Sequence, residues 1–173
     1  MESRDAPDAD ELLRADLGGG VAPATYVLSA AVYVERGGEI LLLERAAGGA
    51  MAGQWFLPGG MIEPGELPEQ GARRELWEET GLEITGDLEL VGAYPMRIYG
   101  RDTLQLTYRG TAGPGEPRLS AEHDDVRWVD PVEMRAALTD DAIATIAQGH
   151  DAVRAMVEHI RTDLERYLRR VGR

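Results

Sequence analysis

The amino-acid sequence predicts an α/β fold, a mixed sheet flanked by helices. Two patterns carry that expectation. β-Branched and aromatic runs punctuated by glycine and proline dominate residues 25–129, and helical periodicity takes over from Pro131. At 173 residues the chain is about one domain long, enough to bury a real core.

Residues 1–22 hold a short helical candidate, Asp10 to Leu17, ended by Gly18–Gly20. They read as a flexible N-terminal arm, with partner docking as the alternative, and residues 23–173 as the single folded domain. Thr25 to Glu35 reads as a strand, Gly37–Gly38 as a turn, and "EILLLER" (Glu39 to Arg45) as the returning strand of a hairpin. Ala46 to Gly53 lacks periodicity and reads as a flexible loop. "QWFLPGG" is a short extended segment stopped by proline and glycine. Pro68 to Thr80 is the best internal helix, with proline in its first turn and Gly81 after its end. Leu88 to Tyr99 and Thr103 to Thr111 read as strands, Gly113 to Asp125 as a loop, and "VRWV" (Val126 to Val129) as a last short strand.

The C-terminal helices begin at about residue 131. Thr139 is the expected N-cap and Gly149 the expected C-cap of one of them. Val153, Met156, Val157, Ile160, Leu164, Tyr167, Leu168 and Val171 then form an apolar stripe at helical spacing. Packing on the chain's own domain is the expected use of this stripe; a homodimer through it is the alternative.

Composition narrows the function. The formal net charge is −13, and all 18 basic residues are arginine. Such a balance disfavours binding to a nucleic-acid polymer, which calls for a basic face. It leaves room for a small anionic substrate approached through metal ions. No cysteine is present, which removes disulfides, thiolate metal sites and a cysteine nucleophile. No apolar run approaches the roughly 18 residues of a membrane span, and the acidic "MESRDAPDADELL" start does not resemble a signal peptide. A soluble cytoplasmic protein, away from membranes, is the expectation.

One stretch breaks local rules. In "PGGMIEPGELPEQGARRELWEETGL" (residues 58–82), Glu75, Glu78 and Glu79 fall at i, i+3 and i+4 and share one helix face. Like charges so placed cost about 0.2–0.5 kcal/mol per pair, and they sit in the last turns, where the macrodipole is already negative. A bound hard cation would resolve both conflicts, and carboxylate oxygens suit Mg²⁺. A solvated acidic face is the plainer account of an isolated E-x-x-E-E.

The neighbouring residues decide between the two. From Gly60 the chain reads G-x5-E-x7-R-E-L-x-E-E-x-G-L, fixing Gly60, Glu66, Arg74, Glu75, Leu76, Glu78, Glu79, Gly81 and Leu82. This segment resembles the Nudix box of the Nudix hydrolases at every defining position, and the flanks from about Thr25 to Pro131 are similar as well. The resemblance implies a Nudix-type α/β/α sandwich with a central mixed sheet, a catalytic loop-helix-loop and added C-terminal helices. It also implies a metal site lined by Glu66, Glu75, Glu78 and Glu79, with Mg²⁺ expected and Mn²⁺ as a possible substitute. Gly59 and Gly60 turn the backbone tightly and leave a carbonyl for the cation, and Gly65 bends the loop so that Glu66 approaches the helix. Arg74 is expected to brace a carboxylate through its planar fork. Leu76, Leu82 and Trp77 read as packing residues. Two positions depart from the usual pattern: Leu67 stands where a Ser or Thr cap is common, and Gly71 where alanine is usual, at a helix cost of ~1 kcal/mol.

The implied reaction is hydrolysis of a diphosphate linkage in a nucleoside diphosphate-X substrate, by a water that the metal activates. Nucleoside triphosphates, ADP-ribose and dinucleoside polyphosphates all belong to that class. The general base is expected from Glu75 or from the "SAEHDDVRW" loop, as Glu122, Asp124 or Asp125. In the family, Glu122's place also supplies a metal ligand. His123 reads as an exposed neighbour, and His150 and His159 as helix surface. Arg45, Arg97, Tyr99 and Arg101 are the candidates for contacting the nucleotide or nucleotide-sugar substrate, with ordinary surface and strand roles as the alternative. A non-catalytic sensor with the same fold is the competing function; the complete set of glutamates argues against it.

Overall fold

The computed structural model describes residues 24–48, 51–98, 100–147 and 151–172. The strands are β1 (Val27–Arg36), β2 (Glu39–Arg45), β3 (Trp55–Phe56), β4 (Gly59–Met61), β5 (Ile84–Ile98), β6 (Arg101–Ala112) and β7 (His123–Val129). The helices are α1 (Pro68–Thr80), α2 (Pro131–Ala137), α3 (Asp140–Ala147) and α4 (Asp151–Val171). The expected arm (residues 1–22), Tyr99, Gly149 and His150 lie outside the described residues.

β1 and β2 form the expected hairpin, paired beside the turn at Glu35↔Ile40 and Arg36↔Glu39. β1 then runs parallel to β6 from Val27↔Thr103 to Glu35↔Thr111, and β5 pairs antiparallel with β6. β4 adds to β1, while β3 and β7 add to β2. The sheet is therefore mixed.

Period-two alternation explains why it is covered on both faces. From β1, Ala30, Val32 and Val34 join Leu41, Leu43, Ala72, Leu76 and Leu82 in one core. The intervening Ala31 and Tyr33 join Ile40, Val153, Val157, Ile160 and Leu164 in the other. Helix α1 covers the first face and α4 the second, which makes the α/β/α sandwich. Val153, Val157, Ile160, Leu164 and Leu168 of the α4 stripe are thus buried within the chain's own domain, as expected. Polar contacts fix it there: the Tyr94 hydroxyl donates to Asp163, and Arg135 pairs with Glu165.

Helix α1 runs from Pro68 to Thr80, as predicted. Its missing Ser/Thr cap is offset in part, because the Gln70 side chain accepts from the Leu67 amide at 3.1 Å. Gly81, at φ 67°, closes the helix by donating to the Trp77 carbonyl at 2.7 Å. Thr139 caps α3 as expected, its hydroxyl accepting from Ala142 at 3.2 Å.

Several expectations are corrected. Trp77 does not pack; it is 59% exposed, because it stands about 100° round the helix from the buried Leu76. His159 is half-buried and stacks on Tyr94 at 4.0 Å between ring centroids. β5 begins at Ile84 instead of Leu88, since Ile84↔Ala112 and Thr85↔Thr111 pair ahead of an irregularity near Gly86. β7 starts at His123, three residues early, because the polar His-Asp-Asp run pairs with Glu44 and Arg45 of β2. Long-range pairing sets both strand starts, and neither shows in local alternation.

Leu164 is fully buried in the core under α4. Leu164→Ala should cost about 2–5 kcal/mol, measured as a shift in urea unfolding with an unchanged m-value. A loss below about 1 kcal/mol would contradict this packing of α4.

Candidate active site

The site is assembled at three backbone features. The first is β4, where Gly59 pairs with Ala31 and Gly60 with Ala30. A Cβ on Gly59 would stand 2.2 Å from the Ala30 carbonyl oxygen, and one on Gly60 would stand 2.5 Å from the Glu75 carboxylate. The two glycines therefore admit a close strand approach and a close carboxylate. The second feature is the loop that closes onto α1. Gly65, at φ 85°, turns the chain so that Glu66 lies against the helix. Gly71 makes room for it: a Cβ there would be 2.9 Å from Glu66 Oε2. The glycine that looked like a helix defect has a steric reason.

The third feature is the C-terminal end of α1, whose last carbonyls need donors. Arg118 N–H donates to the Thr80 carbonyl at 2.7 Å and Ser120 N–H to that of Glu79 at 3.0 Å. These bonds pin the 113–122 loop to the helix end and carry Glu122 and His123 toward the acidic face.

Arg74 is the internal counter-charge of the cluster. Its Nε and Nη2 donate to the two oxygens of Glu66, each at 3.0 Å. Nη1 donates to Glu75 at 2.8 Å and Glu78 at 3.2 Å, and Nη2 also reaches the Met61 carbonyl at 2.9 Å. Hydrogen bonding to Arg74 lowers the pKa of Glu66, and the same contact, with those to Glu75, raises that of Arg74.

Glu79 has different partners. Its side chain is 8% exposed; Oε2 accepts from the Gly59 amide at 2.9 Å, and Oε1 lies 3.5 Å from His123 Nε2. Burial pushes its pKa up to about 8, with nearby Glu75 adding to the shift and the Gly59 amide opposing it. Glu75 is raised as well, first by burial, against the pull of Arg74. These two carboxyls are held partly dry beside each other.

A cavity of about 840 Å³ opens over this wall. Gly59, Gly60, Arg74, Glu75, Glu79 and Glu122 line it, together with Arg45, Arg101, Gln105 and His123. Glu122 is mostly exposed and accepts from Arg45 at 3.0 Å. Glu66 and Glu78 reach Arg74 without lining the cavity. Arg97 is not brought there: it is 70% exposed and pairs with Asp102 at 3.4 Å, while alternation along β5 turns Ile98 to the cavity. Asp124 is occupied by the Ala47 amide at 2.8 Å, and Asp125 by its neighbour Val126. His123 is buried, which corrects the expectation of an exposed neighbour. Sequence reasoning also missed the buried polar pair Thr103 and Gln105 on the cavity's sheet wall; their alternation along β6 was the available signal.

The donors around Glu75 and Glu79 are oxygens, which fits a hard divalent cation and disfavours a soft one. A buried carboxyl with a strongly raised pKa, and with no arginine bonded to it among the described residues, is the sort of group a cation would relieve. Among the described residues, no three acidic or histidine side chains converge closely enough to hold an ion as they stand; Arg74 draws three of the candidates, Glu66, Glu75 and Glu78, onto its own fork.

The NUDIX domain family model matches residues 25–148. The chain belongs to the Nudix family. Among Nudix-related proteins it is 38% identical to a "MutT-like protein" of Streptomyces ambofaciens over 112 residues, 65% of this chain and 68% of the relative. It is 42% identical to the CTP pyrophosphohydrolase of Escherichia coli over 71 residues, 41% of this chain, and spans about half (52%) of that relative. The solution structure of the E. coli ORF135 protein matches with a TM-score of 0.58 at 30% identity, covering 79% of this chain and 96% of that one. The Nudix fold extends to the MutT protein of Methanosarcina mazei, with a TM-score of 0.66 at 24% identity over 86% of this chain and 96% of that one. Among the described residues, no helix is long and apolar enough to cross a membrane.

The raised Glu79 carboxyl makes cation-free stability depend on pH. Folded, it keeps its proton up to about pH 8, against an ordinary value of 4.5. Its contribution is therefore complete below the ordinary value and is lost as pH rises through the window up to 8. Glu75 shifts in the same direction. The cation-free melting temperature should fall between about pH 5 and pH 8, and Glu79→Gln should flatten that fall. Equal slopes in both proteins would contradict the assignment.

Proposed function

We propose that this Nudix pyrophosphohydrolase depends on Mg²⁺ and cleaves the diphosphate linkage of a nucleoside triphosphate. One observation carries the reading: two partly desolvated carboxyls, Glu75 and Glu79, stand beside Gly59–Gly60 at the wall of a cavity the size of a nucleotide site. The choice of triphosphate over ADP-ribose or a dinucleoside polyphosphate draws support from two relatives. One is the CTP pyrophosphohydrolase; the other is the "Putative 8-oxo-dGTP diphosphatase 2" of Mycobacterium tuberculosis, 36% identical over 58% of this chain and 71% of that protein.

In this reading Glu75, Glu78 and Glu79 hold the cation, with the Gly59 carbonyl and Glu122 as further ligands. When bound, Mg²⁺ neutralises phosphate oxygens and lowers the pKa of an attacking water. Mn²⁺ is a chemically suitable substitute. To hold the ion, Glu75 and Glu78 would give up part of their bonding to Arg74, which would keep its two-pronged grip on Glu66 and so hold the loop on the helix. Arg45 and Arg101, which line the cavity, meet the anionic phosphate chain. Glu122, exposed at the cavity and bonded to Arg45, takes the proton of the incoming water; Glu75 is the other candidate for that role. The substrate is a small nucleotide, consistent with the acidic net charge.

Assays of nucleoside triphosphates, ADP-ribose and diadenosine tetraphosphate, with products resolved by chromatography, test the substrate class. Triphosphate turnover should require Mg²⁺ or Mn²⁺. Glu78→Gln and Glu79→Gln should each lower kcat roughly 100-fold or more, with circular dichroism unchanged. Full activity in excess chelator, or preference for ADP-ribose, would overturn the corresponding part. Glu122→Gln should lower kcat roughly 100-fold with little change in KM, and should remove the acidic limb of the pH–rate profile. A parent-like profile would move the base to Glu75.

A further inference from the structure

His123 has no role in the reading above, yet it touches the most buried glutamate of the site. Its side chain is 3% exposed at the start of β7, opposite Arg45 across the irregularity that ends the β2–β7 pairing. Nε2 lies 3.5 Å from Glu79 Oε1, and buried Nδ1 has no hydrogen-bond partner. On the far side, Glu79 Oε2 is fixed by the Gly59 amide at 2.9 Å. The two oxygens of one carboxyl thus meet different neighbours, the β4 amide at Oε2 and the imidazole at Oε1. The Gly59 amide fixes one oxygen, and the contact at the other further restricts rotation of the carboxyl about its last bond.

We infer that His123 is a positioning residue: its Nε2 edge, packed 3.5 Å from Oε1, holds the Glu79 carboxylate against the Gly59 amide so that Glu79 presents a fixed face to the cation. The inference rests on the proposed cation site. With Glu79 ionised, as a bound cation would hold it, the neutral ring that places its proton on Nε2 is the tautomer that faces Oε1 with a donor, and Nδ1 is left as an acceptor. Histidine suits the position because it reaches Glu79 from a strand that begins on the opposite side of the cluster. Leucine would fill similar space without a donor. Glutamine would carry a donor to nearly the same distance, whereas asparagine would fall short. An outer partner of this kind acts on ligand geometry, and removing one typically weakens metal affinity or activity by roughly 10- to 100-fold.

Calorimetric titration of Mn²⁺ into the parent, His123→Leu and His123→Gln proteins at fixed pH tests this without a substrate. Affinity in His123→Leu should fall roughly 10- to 100-fold, and His123→Gln should recover most of it. In a Glu79→Gln background, His123→Leu should have no further effect. Should leucine unfold the chain, His123→Asn replaces it with the same expectation of weakened binding. Parent-like Mn²⁺ affinity in the leucine or asparagine variant, or no recovery with glutamine, overturns the inference and leaves the cation site standing. A parent protein that binds no Mn²⁺ overturns both.

Discussion

The guanidinium of Arg74 is the point on which the acidic segment turns. Three glutamates, Glu66, Glu75 and Glu78, converge on its fork. Like charges one helical turn apart repel one another, so a cation inside the segment stabilises its folded form. Arg74 supplies one, and by bonding both oxygens of Glu66 it also ties the preceding loop to α1. Glu79 is left to the Gly59 amide and His123, in a place where burial resists ionisation. The cluster is balanced on one side and under-balanced on the other, and the under-balanced side faces the cavity.

The scaffold holds that imbalance in place by ordinary means. Gly59 and Gly60 let β4 lie against β1 and leave space for Glu75. Gly71 gives up helix propensity so that Glu66 can approach. The last carbonyls of α1 are satisfied by Arg118 and Ser120, and the loop so tethered delivers Glu122 and His123. Each of these local concessions sits next to the acidic face, which is where rules of propensity and charge are expected to yield to function.

What was legible in the sequence was contiguous. Helix α1 carries its own punctuation, Pro68 at the start and Gly81 in a left-handed turn at the end, and these mark its bounds to the residue. The β1–β2 hairpin and the α4 stripe follow from periodicities of two and 3.6. What was hidden depended on pairing between distant segments. His123 looks like a polar loop residue until β7 is seen to pair with Arg45. Arg97 and Ile98 exchange inside and outside with a single step of register, and the sequence does not say which one faces the cavity. The exposure of Trp77 reflects where the core ends around α1, a property of the assembled layers.

A crystal structure with Mn²⁺ and a non-hydrolysable nucleoside triphosphate analogue tests the central claim most directly, because the anomalous signal locates the ion without assumptions. The account predicts an anomalous peak within coordination distance of Glu75 and Glu79 oxygens, with the phosphate chain against it and Arg74 still bonded to Glu66. A peak elsewhere, or a triphosphate bound with no ion among these glutamates, would contradict it.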